Sequence, residues 1–184
     1  WTSFLLLMFM LLCVVWSVRA AEWTDGLGIL QWIVIAAMFL GLFLAQMRRL
    51  PGLVAHLLAL VIGAVWVIAM LSIIFNPPLV PSSLVAPGSG LLARLKIMYQ
   101  QGLSWFQNPD IVEPWLSNFM FVSALAALTW LLCYSNTWFV FRCHWVWGAV
   151  VSAGAACLLN IYYAPPRLML YFALYCLGAL LLIV

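Results

Sequence analysis

Charge is scarce in this chain: of 184 residues, seven are Lys or Arg and four are Asp or Glu. At 6% charged and 68% hydrophobic, the sequence departs from the roughly 25% and 45–50% of an ordinary soluble domain. A soluble fold of this length still leaves much of its area in water, so apolar surface on this scale must face hydrocarbon instead. The net charge of +3 is small and scattered. It offers no basic stripe of the kind a nucleic-acid groove needs, so nucleic acid is not an expected partner.

Motifs that carry chemistry are also missing. No HExxH, Walker loop, GxGxxG, Ser-His-Asp arrangement or paired carboxylate occurs. The four acids fall into two loop pairs, Glu22/Asp25 and Asp110/Glu113. Five cysteines (Cys13, Cys133, Cys143, Cys157 and Cys176) show no CxxC spacing and read mostly as small buried hydrophobes. No catalytic residue, metal site or cofactor is expected in this chain, and the sequence does not point to an enzyme here.

What the chain does have is long apolar runs. A helix needs about 20 apolar residues to cross the hydrocarbon core, and charged residues mark where crossings end. Six runs qualify, at approximately 1–18, 28–47, 53–75, 115–134 (extendable to 141), 145–163 and 168–184. The first reads as a retained span rather than a cleaved signal peptide, although Val18-Arg19-Ala20-Ala21 offers a weak cleavage motif. Arg48-Arg49-Leu50-Pro51-Gly52 and Ala164-Pro165-Pro166-Arg167 are too short to recross a membrane, so the helices they join are antiparallel neighbours. The expected fold is all-α: a polytopic bundle of about six transmembrane helices forming a single domain over 1–184.

The one long connection, 76–114, carries an amphipathic segment. Leu91, Leu92, Leu95, Met98, Tyr99, Leu103 and Phe106 recur at helical spacing, with Arg94, Lys96, Gln100, Gln101 and Ser104 on the other face. Such a helix lies flat in the headgroup region, or packs on its own bundle or a partner. Arg94, Lys96, Trp105 and Phe106 are its candidate partner or lipid interface. Alternate connections place Arg48, Arg49 and Arg142 on one side, in short loops, which by the positive-inside rule is the cytoplasm. All four acids, with Arg19, Arg94, Lys96 and Arg167, fall on the other, which makes the long loop extracytoplasmic. Trp23, Trp105, Trp115, Trp138 and Trp145 sit near span ends, as an interfacial aromatic belt requires.

Few polar groups lie within the spans: Gln31, His56, Asn118 and Asn160. His56 reads as a structural histidine that one hydrogen bond to a neighbouring helix would satisfy, with ligation of a tetrapyrrole metal as the alternative. Asn160, near a helix end, reads as satisfying freed carbonyls. Cys143 and His144, if helical, point about 100° apart and are badly placed as nucleophile and base. An ion or small-solute carrier would show ionisable groups inside its spans or an inverted repeat, and neither is present.

Four short signatures occur in order. Glu22-Trp23-Thr24-Asp25-Gly26-Leu27 follows the first span, and Arg49-Leu50-Pro51-Gly52 links the next two. Trp138-Phe139-Val140-Phe141-Arg142 exits the fourth, and Asn160-Ile161-Tyr162-Tyr163-Ala164-Pro165-Pro166-Arg167 links the last two. Together they resemble the N-terminal membrane domain of bacterial transglutaminase-like proteins of the TgpA type. The resemblance implies a bacterial cell membrane and a multi-pass scaffold for an extracytoplasmic domain with a Cys, His and Asp triad. None of the five cysteines here inherits the nucleophile's role. Because parity leaves Val184 on the cytoplasmic side, the resemblance also implies a further crossing before that domain. The expected function is thus a membrane anchor or scaffold, whose partners are the bilayer and either its own outer domain or other membrane chains. The alternative is an accessory subunit of a larger respiratory or photosynthetic complex that contacts partner chains, lipid or pigment.

Overall fold

The computed structural model describes residues 1–74, 90–107, 114–163 and 168–183; the side chains at 91, 101, 104–106 and 114 lie outside that description. Among the described residues seven α-helices follow one another: α1 (Thr2–Ala20), α2 (Leu30–Gln46), α3 (Gly52–Ile74), α4 (Leu91–Gln107), α5 (Pro114–Phe141), α6 (Val146–Tyr163) and α7 (Met169–Ile183). A 3-10 turn, Leu27–Ile29, leads into α2. There is no strand among the described residues. The protein is an all-α bundle, and five of its helices, α1, α2, α3, α5 and α6, are long and apolar enough to cross a bilayer. It is a multi-pass membrane protein. The sixth expected span is described as the shorter apolar helix α7, of 15 residues.

α5 takes the longer of the two extents expected for this span and ends at Phe141. At 28 residues it extends for about 42 Å, beyond the roughly 30 Å of hydrocarbon, so its ends reach the interfaces. The polar stretch Ser135-Asn136-Thr137 does not end it. Ser135 and Thr137 turn their hydroxyls back onto the carbonyls of Leu131 and Cys133, one helical turn earlier. Ser17, Ser72 and Ser123 do the same within α1, α3 and α5. A hydroxyl satisfied inside its own helix costs little in hydrocarbon. Asn136, fully buried, accepts a 2.6 Å hydrogen bond from Ser152 on α6, while its Nδ2 has no partner among the described residues. With the amide turned over, Nδ2 donates to Ser152 and the Ser152 hydroxyl to the Ala149 carbonyl, leaving an unpaired acceptor rather than an unpaired donor.

α2 packs along α5 and is flanked by α1 and α3; α1 also lies along α7 and α6. In lipid no hydrophobic gain draws helices together, so close packing and interhelical hydrogen bonds must do so. Two glycines permit it. At Gly41 of α2, a Cβ would stand 2.9 Å from the Thr137 Cβ of α5. At Gly63 of α3, a Cβ would overlap the Trp130 indole nitrogen. That indole occupies the notch and donates a 3.1 Å hydrogen bond to the Ala59 carbonyl. The buried line of α3 is Ala55, Ala59, Gly63, Val67 and Leu71, at a spacing of four. Leu53, Leu57, Val61, Val65 and Ile68 remain exposed, as fits a helix at the edge of the bundle.

Contacts between helix ends give the bundle two distinct poles. Arg48 and Arg142 meet at one, the basic end, and Arg19, Glu22 and Asp25 gather with Asn118 around a cavity at the other, the acidic end. This agrees with the parity expected for those residues. Asp110, Glu113 and Arg167 lie outside the described residues.

Candidate functional site

At the basic end, α2 stops at Met47, whose φ of −74° and ψ of 74° form an inverse γ-turn closed by a 2.8 Å bond from the Arg48 N–H to the Gln46 carbonyl. The last carbonyls of a helix have no partner of their own. Arg142, just past the end of α5, supplies one. Its guanidinium donates to the carbonyls of Ala45 (3.3 Å), Arg48 (3.2 Å) and Leu50 (3.3 Å). It also lies 5.5 Å over the Trp138 ring, in cation–π geometry. A cation at the negative end of the α2 dipole adds to the attraction.

Trp138 joins this clasp to His56. The two rings are 4.8 Å apart, and His56 Nδ1 lies 2.9 Å from the hydroxyl of Tyr134, itself buried. The hydrogen bond to a neighbouring helix expected of His56 is therefore present, and it occupies Nδ1. His56, Trp130, Tyr134, Ser135, Trp138 and Cys143 line a half-open lateral cavity of about 530 Å³ between α3 and α5. A histidine, a tyrosine, a serine and a cysteine thus face common space. Cys143 and His144 are not helical and lie in the short α5–α6 connection. α5 ends at Phe141, and His144 turns the chain with φ 53°, so that the Trp145 N–H returns to the Phe139 carbonyl.

At the acidic end a hydrogen-bond relay crosses three segments. The Trp23 indole donates to Asn160 Oδ1 (3.1 Å), Asn160 Nδ2 donates to the Ser17 hydroxyl (3.1 Å), and Ser17 donates to the Val14 carbonyl (2.7 Å). Asn160 thus serves side chains of distant segments, not the carbonyls of its own helix end. The reason is that α1 brings the Ser17 hydroxyl within reach of its amide. Below the relay, Leu11, Val14, Phe121, Leu125, Leu132 and Leu159 help line an apolar cleft of about 540 Å³ between α1, α5 and α6. The α1–α2 loop reverses at Gly26, φ 88°, a left-handed position that suits glycine.

Of the expected interface on α4, Arg94 donates to the Ser72 carbonyl of α3 at 3.2 Å, which fixes it to the bundle, and Lys96 is exposed. The side chains of Trp105 and Phe106 lie outside the described residues. The expected apolar stripe divides: Met98 packs on the core, together with Ile97, which the periodicity did not assign to that face. Leu92 and Tyr99 stay open, at 82% and 68% exposed. The carbonyl reach of Arg142, the Trp130 notch and the Asn136–Ser152 pair were absent from the sequence reading. Gly63 at a spacing of four from Ala59 and Ala55 was the available signal for the notch.

No family model, curated protein or solved structure matches this chain.

Proposed function

We infer that this chain is a non-catalytic membrane scaffold, the anchor of a transglutaminase-like protein of the TgpA type in a bacterial cell membrane. One observation supports this reading above others. The four signatures that carry the resemblance meet in pairs and bond to one another. Trp23 of the first binds Asn160 of the fourth at the acidic end. Arg142 of the third binds the Leu50 carbonyl of the second at the basic end. Residues at such positions hold two ends of a bundle in register, which is what a platform for an attached domain requires. They form clasps, and they do not converge on a reacting centre.

In this reading the acidic end faces the outer domain, and α4, with the open face bearing Leu92 and Tyr99, lies beside it. The mass of the natively expressed polypeptide tests the proposal, detected with an antibody to the Glu22–Gly26 loop. An anchor predicts a mass well above 20.6 kDa, with the excess removed by protease added to the acidic side. A native polypeptide of about that mass would refute the anchor and favour an accessory subunit of a larger membrane complex.

A further inference from the structure

The basic end contains more positive charge than its packing uses. Arg142 is committed to three carbonyls, but Arg48 and His144 beside it are exposed, and neither side chain has a hydrogen-bond or ion-pair partner among the described residues. Arg48, Arg142 and His144, with Ala45 and Phe141, enclose a recess of about 360 Å³. A second recess of about 380 Å³ shares Ala45, Arg48 and Phe141 in its wall and continues past Phe4 and Leu42. Neither has an acidic residue in its wall, since the described acids, Glu22 and Asp25, belong to the opposite end. Cationic donors therefore stand beside the apolar side chains Phe4, Leu42 and Phe141 where α2 and α5 leave the hydrocarbon.

We propose that this paired recess is a binding site for an anionic phospholipid, with the phosphate held between Arg48 and His144 and an acyl chain lying along Phe4, Leu42 and Phe141. Each part of the lipid meets its own chemistry. A phosphate accepts from the unused guanidinium and imidazole N–H groups, in charge-assisted hydrogen bonds stronger than neutral ones. The remaining positive charge of Arg142 adds to the field without giving up its carbonyls. The wall that the two recesses share favours a lipid over free phosphate, because a small anion would leave Phe4 and Phe141 uncovered. A basic pocket of this type between transmembrane helices is suited to an acidic head group. The left-handed backbone at His144 places its imidazole on the wall of the recess and not along α5.

The test is thermal unfolding of the purified chain, followed on tryptophan fluorescence, during titration with phosphatidylglycerol, phosphatidylcholine or inorganic phosphate. Phosphatidylglycerol should raise the Tm in a saturable manner, and the other two should not. Arg48→Gln should raise the half-effect concentration about fivefold, and the double variant with His144→Asn further still. Asparagine is chosen because it tolerates the left-handed backbone. Arg19→Gln, which removes a cation at the acidic end, should leave the titration unchanged. An unaltered response in the double variant, or equal weakening by Arg19→Gln, would overturn the proposal. A Tm shift reproduced by inorganic phosphate alone would overturn the lipid and leave an anion site. A second measurement needs no variant: phosphatidylglycerol, and not phosphatidylcholine, should protect Arg48 of the wild-type chain from arginine-specific labelling, and equal labelling in both would count against the site.

Discussion

At the residue scale, a few polar side chains do work that hydrophobic burial cannot do in lipid. Arg142→Ala removes a donor from the carbonyls of Ala45, Arg48 and Leu50, and should cost about 2 kcal/mol. Arg142→Lys should recover less than half of this, because one ammonium cannot reproduce the planar fork or its stacking on Trp138. Unfolding in graded denaturing detergent, read on tryptophan fluorescence, measures both. Two asparagines provide a contrast by the same assay. Asn160→Ala removes two hydrogen bonds, from the Trp23 indole and to the Ser17 hydroxyl, and should cost about 1–2 kcal/mol, whereas Asn136→Ala also removes an unpaired buried group and should cost under about 1 kcal/mol. Equal costs would mean that the two amides are not distinguished by their partners.

At the element scale, α3 depends on one narrow stripe. Gly63→Ala places a methyl group inside the Trp130 indole, a rigid neighbour that cannot swing a flexible end away, and should destabilise the bundle by about 2 kcal/mol. Val65→Ala, on the exposed face two residues on, should change stability by a few tenths at most. A Gly63→Ala/Trp130→Phe pair is the informative partner variant. Phenylalanine vacates part of the notch, so the double variant should be less damaged than the sum of the two single ones. Simple additivity would show that the notch does not hold α3 to α5. α4 is attached differently, through Arg94 on the Ser72 carbonyl and through Ile97 and Met98, and most of its described side chains are exposed.

At the scale of the whole molecule, the two poles make a prediction about sidedness that native cysteines can report. Cys13, Cys133 and Cys157 are buried and Cys176 is half-buried, while Cys143 is exposed at the basic end. A membrane-impermeant maleimide should therefore label Cys143 from the basic side alone. A cysteine introduced at Asp25 in a Cys143→Ser background should be labelled from the opposite side. Labelling of both positions from one side would refute the parity of α2. The two poles are held by separate clasps, so loss of one should loosen its own end first: hydrogen exchange near Leu50 should accelerate in Arg142→Ala before exchange near Trp23 does.

The sequence by itself determined that the chain is helical, where most helices begin and end, and which charged residues share a pole. These properties are local or one-dimensional: a crossing needs a set length of apolar residues, charge and proline stop it, and each crossing reverses the side. The end of α5 stayed open between Tyr134 and Phe141, because polarity in a list of residues does not reveal whether a hydroxyl folds back on its own helix or an amide finds Ser152 on another. The sequence could state that His56 needs one partner, but not that Tyr134 provides it. Trp23 and Asn160 likewise stand far apart in the chain, and only the packing of α1 against α6 brings their side chains within 3.1 Å. The tertiary structure decided every such pairing, and with it the clasps and the basic recess, because interhelical distance depends on which small residues let which backbones approach.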